Sequence, residues 1–122
     1  MGMIKKVDVT TCAFDIFGDK SISVRERKPG PPERIDGMTV GIVTMDQDAP
    51  HGGEIHPDGD EFLYVISGRL RVVGESTPNE PLELGPGEAC IVSGGEWHRV
   101  HVLEPTKLIH ITPGPNGDHR PL

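Results

Sequence analysis

HGGEIHPDGDEFLYVISG, residues 51–68, is the stretch that decides how this chain is read. It sets two imidazoles, His51 and His56, and two carboxylates, Glu54 and Glu61, about a Pro57-Asp58-Gly59-Asp60 turn. It then runs into an apolar strand that ends at Gly68. Residues i and i+2 of an extended segment share a face, so Glu54 and His56 point the same way. A turn between His56 and Glu61 brings Glu61 back onto that face. Further along, residues 87–98, GEACIVSGGEWH, supply His98 just after Gly94-Gly95. His98 opens a strand whose same-face neighbours are Val100 and Val102. An apolar lining beside a polar cluster is the usual texture of a small-molecule pocket. His56, Glu61 and His98, with Glu54 beside them, are therefore the candidate ligands of one divalent transition metal, for which imidazole and carboxylate are common donors.

The rest of the chain sets the frame around that cluster. Its 122 residues suit one domain with one core. Sixteen glycines and 12 prolines cut it into short pieces, and no segment holds a 3.6-residue apolar stripe. Strands are expected at residues 21–27, 38–45, 61–67, 70–74, 82–84, 89–92, 97–103 and 108–112, with a hairpin turn at Ser67-Gly68 and a second turn about Pro86. Many short strands with Gly/Pro turns make a sandwich or a barrel. Residues 113–122 are Pro/Gly-rich and are expected to run as an irregular tail. Twelve basic against 19 acidic side chains leave a net charge of −7, with no Lys/Arg cluster. That balance argues against nucleic acid and against an anionic membrane as partners. No signal-peptide core and no membrane-spanning apolar run is read, and Cys12 and Cys90 lie too far apart in sequence to suggest a disulfide framework. A cytoplasmic protein is the expectation, with Cys90 a small buried hydrophobe.

The spacing resembles the cupin superfamily. Its first motif runs Gly, five residues, His-x-His, three or four residues, Glu, six residues, Gly. Its second runs Gly, five residues, Pro-x-Gly, two residues, His, three residues, Asn. Here Glu54-x-His56, Glu61 and Gly68 fall in register with the first, and Gly87, Ser93-x-Gly95 and His98 with the second. The resemblance implies an all-β fold, a single cupin-type β-barrel (a double-stranded β-helix, or jelly roll) over residues 1–122. It also implies a bound metal. The apolar strand at residues 38–45 reads as an edge, and barrels of this kind pair through such strands, so a homodimer by exchange or side-by-side packing of N-terminal strands is expected. Four positions depart from the motifs: Asp48 for the opening Gly, Glu54 for the first His, Ser93 for Pro and Val102 for Asn. Only Glu54 alters the ligand set, from three His and one Glu to two His and one or two Glu.

His56, Glu61 and His98 alone form a two-His-one-carboxylate set with positions left for water, substrate or oxygen. Glu54 reads as a fourth ligand or as a non-ligand, the latter a catalytic acid/base just outside the shell or a solvated carboxylate. With both carboxylates bound, Fe(II) or Mn(II) is favoured, with Zn(II) or Ni(II) as alternatives. The expected function is a small metalloenzyme, a dioxygenase or an isomerase/lyase, acting on a small oxygenated metabolite; the alternative is a non-catalytic module that binds a sugar-like ligand. Outside the cluster, His51 reads as a surface residue, with a substitute imidazole that swings into the site as the alternative, His119 as a surface residue, His101 as facing away from His98, and His110 as a core or rim residue. Trp97 and Tyr64 read as packing residues, and Asp58 and Asp60 as turn residues.

Overall fold

The computed structural model describes residues 2–122 and holds, among them, nine strands and no helix. In chain order these are β1 (Cys12–Phe17), β2 (Ile22–Glu26), β3 (Gly37–Met45), β4 (Glu54–Ile55), β5 (Glu61–Gly74), β6 (Leu82–Leu84), β7 (Ala89–Val92), β8 (His98–Gly114) and β9 (Asp118–His119). All pairings are antiparallel. The all-β jelly-roll architecture is as expected. No helix of the described residues is long and apolar enough to cross a membrane.

Two strands organise everything. β5, 14 residues, and β8, 17 residues, pair with one another along both of their halves. The first half of β5 lies between β7 and the second half of β8, which continues into β3, β1 and β2. The second half of β5 lies between β6 and the first half of β8, which continues into β4 and β9. The result is two facing layers that share β5 and β8. Alternation along both strands sends Leu63, Val65, Leu70, Val72 and Leu108 into the space between the layers, each 7% exposed or less. Burying one such side chain stabilises by about 1.5–3 kcal/mol.

The passage between layers replaces the hairpin expected at Ser67-Gly68. β5 does not reverse there; its register with β8 shifts between Val65 and Leu70, and the strand bends. Gly68 sits at φ +91°, and a Cβ on it would lie 2.2 Å from the Pro105 carbonyl oxygen. Glycine is needed because the two long strands cross at contact distance. Thr106, fully buried, closes the corner: its hydroxyl accepts from the Arg69 N–H at 3.0 Å and donates to the Glu104 carbonyl at 2.7 Å.

Three further expectations are corrected. β3 is not an edge, for β1 bonds one side of it and β8 the other. β1 was not expected at all; its inward residue Asp15 is 3% exposed and held by Arg25 of β2 through two bonds of 2.8 and 2.9 Å. Within residues 113–122, β8 runs on to Gly114, and β9 pairs with β4.

Candidate metal centre

Each of the four candidate ligands is placed by the pairing of a short strand or by a turn. Glu54 on β4 stands directly across from His98, the first residue of β8. His56 follows β4 by one residue, and Glu61 opens β5 after the Pro57–Asp60 turn. That turn is tied to the one before His98. The Gly95 N–H donates to the His56 carbonyl at 3.1 Å, and the Gly94 N–H to Asp60 Oδ1 at 2.8 Å. A Cβ on Gly94 would lie 2.9 Å from the Gly59 oxygen, so the two turns touch backbone to backbone. Asp58 accepts from the Asn116 side chain at 2.8 Å, which ties the tail to the same corner.

The donor atoms converge. His98 Nε2 is 3.1 Å from Glu61 Oε1 and 3.5 Å from Glu54 Oε1, and His56 Nε2 is 3.3 Å from Glu61 Oε2 and 3.5 Å from Glu54 Oε1. One donor atom from each residue lies within 4.8 Å of all the others. Ligands about 2.1 Å from a common ion sit about 3.0 Å apart at a right angle and about 3.4 Å apart at the tetrahedral angle. The four measured separations, with the two to Glu61 reaching different oxygens, lie near that range, and a set of one atom per residue within 4.8 Å is close enough for a single ion to draw together. His56 Nε2 makes the same case from the other side. It is fully buried and makes no well-aimed hydrogen bond, although the Glu54 and Glu61 oxygens stand 3.5 and 3.3 Å away. A buried imidazole nitrogen so placed is costly unless a proton held by the carboxylates, or a metal ion in its stead, occupies it.

Polar supports hold the donors in place. His98 Nδ1 bonds the Glu96 carbonyl at 3.0 Å, which turns Nε2 toward the cluster. Thr112 Oγ1 donates to Glu61 Oε2 at 2.6 Å, and His110 Nδ1 lies 2.8 Å from the same hydroxyl. The hydroxyl has one proton and gives it to Glu61, so His110 donates from Nδ1. Burial pushes His110 below its ordinary value, which keeps that ring neutral. Gly41 makes room for it: a Cβ there would lie 2.1 Å from His110 Nε2. His51 accepts from the Gly53 N–H at 3.1 Å and turns Nε2 to within 3.7 Å of Glu54 Oε2.

Burial opposes charge at all four donors, and pairing overcomes it at all four. Desolvation alone would lower His56 and His98; the Glu54 and Glu61 carboxylates instead raise them to about 9 and about 10. Desolvation alone would raise Glu54 and Glu61; the two imidazoles instead hold both well below the usual carboxylate range. The metal-free cluster is thus two cations and two anions.

Two cavities are lined in part by His98 and by none of the other three donors. One, about 220 Å³, is bounded by Gly53, Gly74, Trp97, Arg99 and Arg120. The other, about 380 Å³, is bounded by Val72, Glu80, Cys90, Val92 and Glu96.

The structure thus brings together Glu54, His56, Glu61 and His98, and leaves His101 outside, bonded to Asp48 at 2.9 Å. His119 is exposed. His51, read as a surface residue or a substitute imidazole, stands at the cluster's edge beside Glu54. Trp97 carries the Arg120 guanidinium 3.9 Å above its ring, and Arg120 also pairs with Glu75 at 2.7 Å. The Thr112–His110 support was not anticipated, although strand parity places both on one face.

Comparison with known proteins agrees with this architecture. The family model for the cupin domain matches residues 41–112, more than half of the chain. A search of curated proteins returned no match. Among solved structures, a cupin-2 domain containing protein from Shewanella frigidimarina is 20% identical with a TM-score of 0.54, over 74% of this chain and 85% of that one. A cupin superfamily protein from Desulfitobacterium hafniense is 12% identical with a TM-score of 0.54, over 92% and 84%. KdgF from Halomonas sp. is 25% identical with a TM-score of 0.52, over 68% and 74%.

Proposed function

The chain belongs to the cupin family, and from that premise we propose that it is a metal-dependent cupin that holds one divalent ion on Glu54, His56, Glu61 and His98 and acts on a small, oxygenated, anionic metabolite. The observation that carries this reading is the convergence of four donor atoms, one each from Glu54, His56, Glu61 and His98, within 4.8 Å of one another. Two imidazoles and two carboxylates suit Fe(II) or Mn(II). When bound, the ion supplies Lewis acidity toward a substrate oxygen.

The chain's own groups do the rest. Glu54 is the most open of the four, its side chain 28% exposed, where Glu61 and His98 are 5% and 1%. It is the carboxylate placed to exchange a proton with a ligand or with water. Glu61, pinned by Thr112, is a fixed donor. A carboxylate placed to move a proton supports isomerase or lyase chemistry, with dioxygenase chemistry the alternative. The two free cysteines accord with a cytoplasmic setting.

Elemental analysis of anaerobically purified protein is expected to find one equivalent of divalent metal, and His56→Ala, Glu61→Ala and His98→Ala each to lose it. Native protein that stays metal-free under every reconstitution, or three variants that each keep a full equivalent, would overturn the assignment. Oxygen uptake with candidate substrates separates dioxygenase from isomerase or lyase activity. Glu54→Gln tests the remaining role: turnover falls by roughly 10²–10⁴ with metal retained if Glu54 moves a proton.

A further inference from the structure

A metal-ligating histidine carries its hydrogen on the other ring nitrogen, and that N–H nearly always has an acceptor. The Nδ1 atoms of His51, His98, His101 and His110 each have a partner. His56, buried, makes its polar contacts through Nε2, toward Glu54 and Glu61, and its Nδ1 has no acceptor among the described residues. A second donor stands beside it in the same condition. Arg25, Arg69, Arg71 and Arg120 each pair with a carboxylate, and Arg27 donates to the Thr10 carbonyl at 2.6 Å. Arg34, half-buried in the segment between β2 and β3, does neither among the described residues. Its chain neighbour Glu33 faces Arg25 instead, at 3.6 Å. The two donors meet at Gly117. A Cβ there would lie 3.1 Å from Arg34 Nη1 and 3.3 Å from His56 Nδ1. A glycine at this position thus leaves a notch walled by a guanidinium and an imidazole N–H.

We propose that this notch binds a small oxyanion, a carboxylate or phosphate group, held between the Arg34 guanidinium and the Nδ1–H of His56. The donor set picks the ligand. Both walls donate and neither accepts, and Arg34 carries a fixed positive charge. Water answers the hydrogen bonds but not the charge. Charge-assisted hydrogen bonds run at about 2.7–2.9 Å, so one small group seated outside Gly117 reaches both nitrogens. The net charge of −7 repels anions at long range, so the affinity is local and comes from these two donors. Both sides of the notch are anchored. Next to Arg34, a Cβ on Gly114 would lie 2.4 Å from the Ile35 oxygen, so the backbones there are in contact. Next to Gly117, the Asn116 side chain donates to Asp58 at 2.8 Å. Arg34 and Gly117 both lie outside residues 41–112, so the notch is an addition made by the segments that flank the cupin match. An oxyanion here holds the His56 ring as the Glu96 carbonyl holds that of His98. The inference goes beyond the metal reading and does not depend on it, because both nitrogens of an imidazolium donate and Nδ1 is the same donor in the metal-free cluster.

Titration of the metal-free protein with inorganic phosphate, followed by calorimetry and by the His56 ring signals in nuclear magnetic resonance, tests this. Saturable binding is expected with a Kd on the order of 1 mM, and the His56 Nδ1–H signal is expected to move with it. Arg34→Gln is expected to weaken binding at least tenfold. Gly117→Ala puts a methyl group into the notch and is expected to do the same; Gly117 is outside the left-handed region, so the alanine adds no backbone strain. Arg71→Ala, whose guanidinium pairs with Glu83 elsewhere, is expected to leave binding unchanged. No saturation at tens of millimolar phosphate would overturn the proposal, as would binding indifferent to both Arg34→Gln and Gly117→Ala. Metal-free protein keeps this result separate from the metal assignment. Acetate and glutarate, compared on metal-free and Mn(II)-loaded protein, distinguish the source of the oxyanion. Glutarate that gains affinity on loading, with the gain lost in Arg34→Gln, marks the acid group of a larger ligand that also reaches the ion; affinities unchanged by loading mark a free ion.

Discussion

Adding one divalent ion to the metal-free protein at pH 7 is expected to expel about two protons, because ligation requires neutral imidazoles. The magnitude follows from the cluster. With His56 raised to about 9 and His98 to about 10, both rings are almost fully charged at pH 7, while Glu54 and Glu61 are already ionised. Two ordinary histidines at pKa about 6.5 would each be about one-quarter charged at pH 7 and would release about half a proton between them. The sign is fixed by competition: proton and metal want the same lone pairs, so affinity rises with pH. Between pH 7 and 8.5 it should climb roughly 100-fold per unit, a slope of two protons, and flatten once both rings are neutral. Titration calorimetry with Mn(II) in two buffers of different ionisation enthalpy counts the protons directly. A count of half a proton or fewer, with a slope below one, would refute the claim that both imidazoles are held as cations by Glu54 and Glu61.

Thr112→Val leaves Glu61 Oε2 without its donor at 2.6 Å and should weaken metal affinity about 10- to 100-fold, while Thr112→Ser restores it; competition with a chromogenic chelator reads both. The metal-free protein should have its highest thermal midpoint between pH 4.5 and 6.5. The raised histidines contribute stability that is fully present below pH 6.5 and lost as pH rises through about 9 and 10, while the lowered carboxylates contribute stability present above pH 4.5 and lost on further acidification. Scanning calorimetry with chelator present checks this, and a midpoint that stays level from pH 6 to pH 10 would contradict it.

What was legible in the sequence was short-range. Glu54, His56 and Glu61 lie within eight residues, so strand parity and one turn suffice to aim them together, and a single added motif brings His98. The corner at Gly68 was not legible for a physical reason. A glycine with positive φ after an apolar run is demanded equally by a hairpin and by two strands crossing in contact, and only the partner decides. Here the partner is Pro105-Thr106, 37 residues on. β3 was misread in the same way. Its own alternation cannot reveal whether another strand lies alongside, and β1 was hidden because its inward Asp15 breaks the apolar pattern. That carboxylate is tolerated inside through Arg25 and Thr39, each on a different strand.

The same division runs through the metal centre itself. Which residues donate is a matter of local spacing, but which atoms they present is not. Glu61 has two equivalent oxygens as a free side chain. Thr112, 51 residues away, takes one of them, and His110 fixes the direction of that hydroxyl. Gly41, on β3, is what lets His110 stand there, since any side chain at that position would meet its ring. The chain from Gly41 to His110 to Thr112 to Glu61 exists only once β3, β8 and β5 are in register. The donor set is therefore written near one turn, while its orientation is a property of the whole layer that β3, β8 and β5 build together.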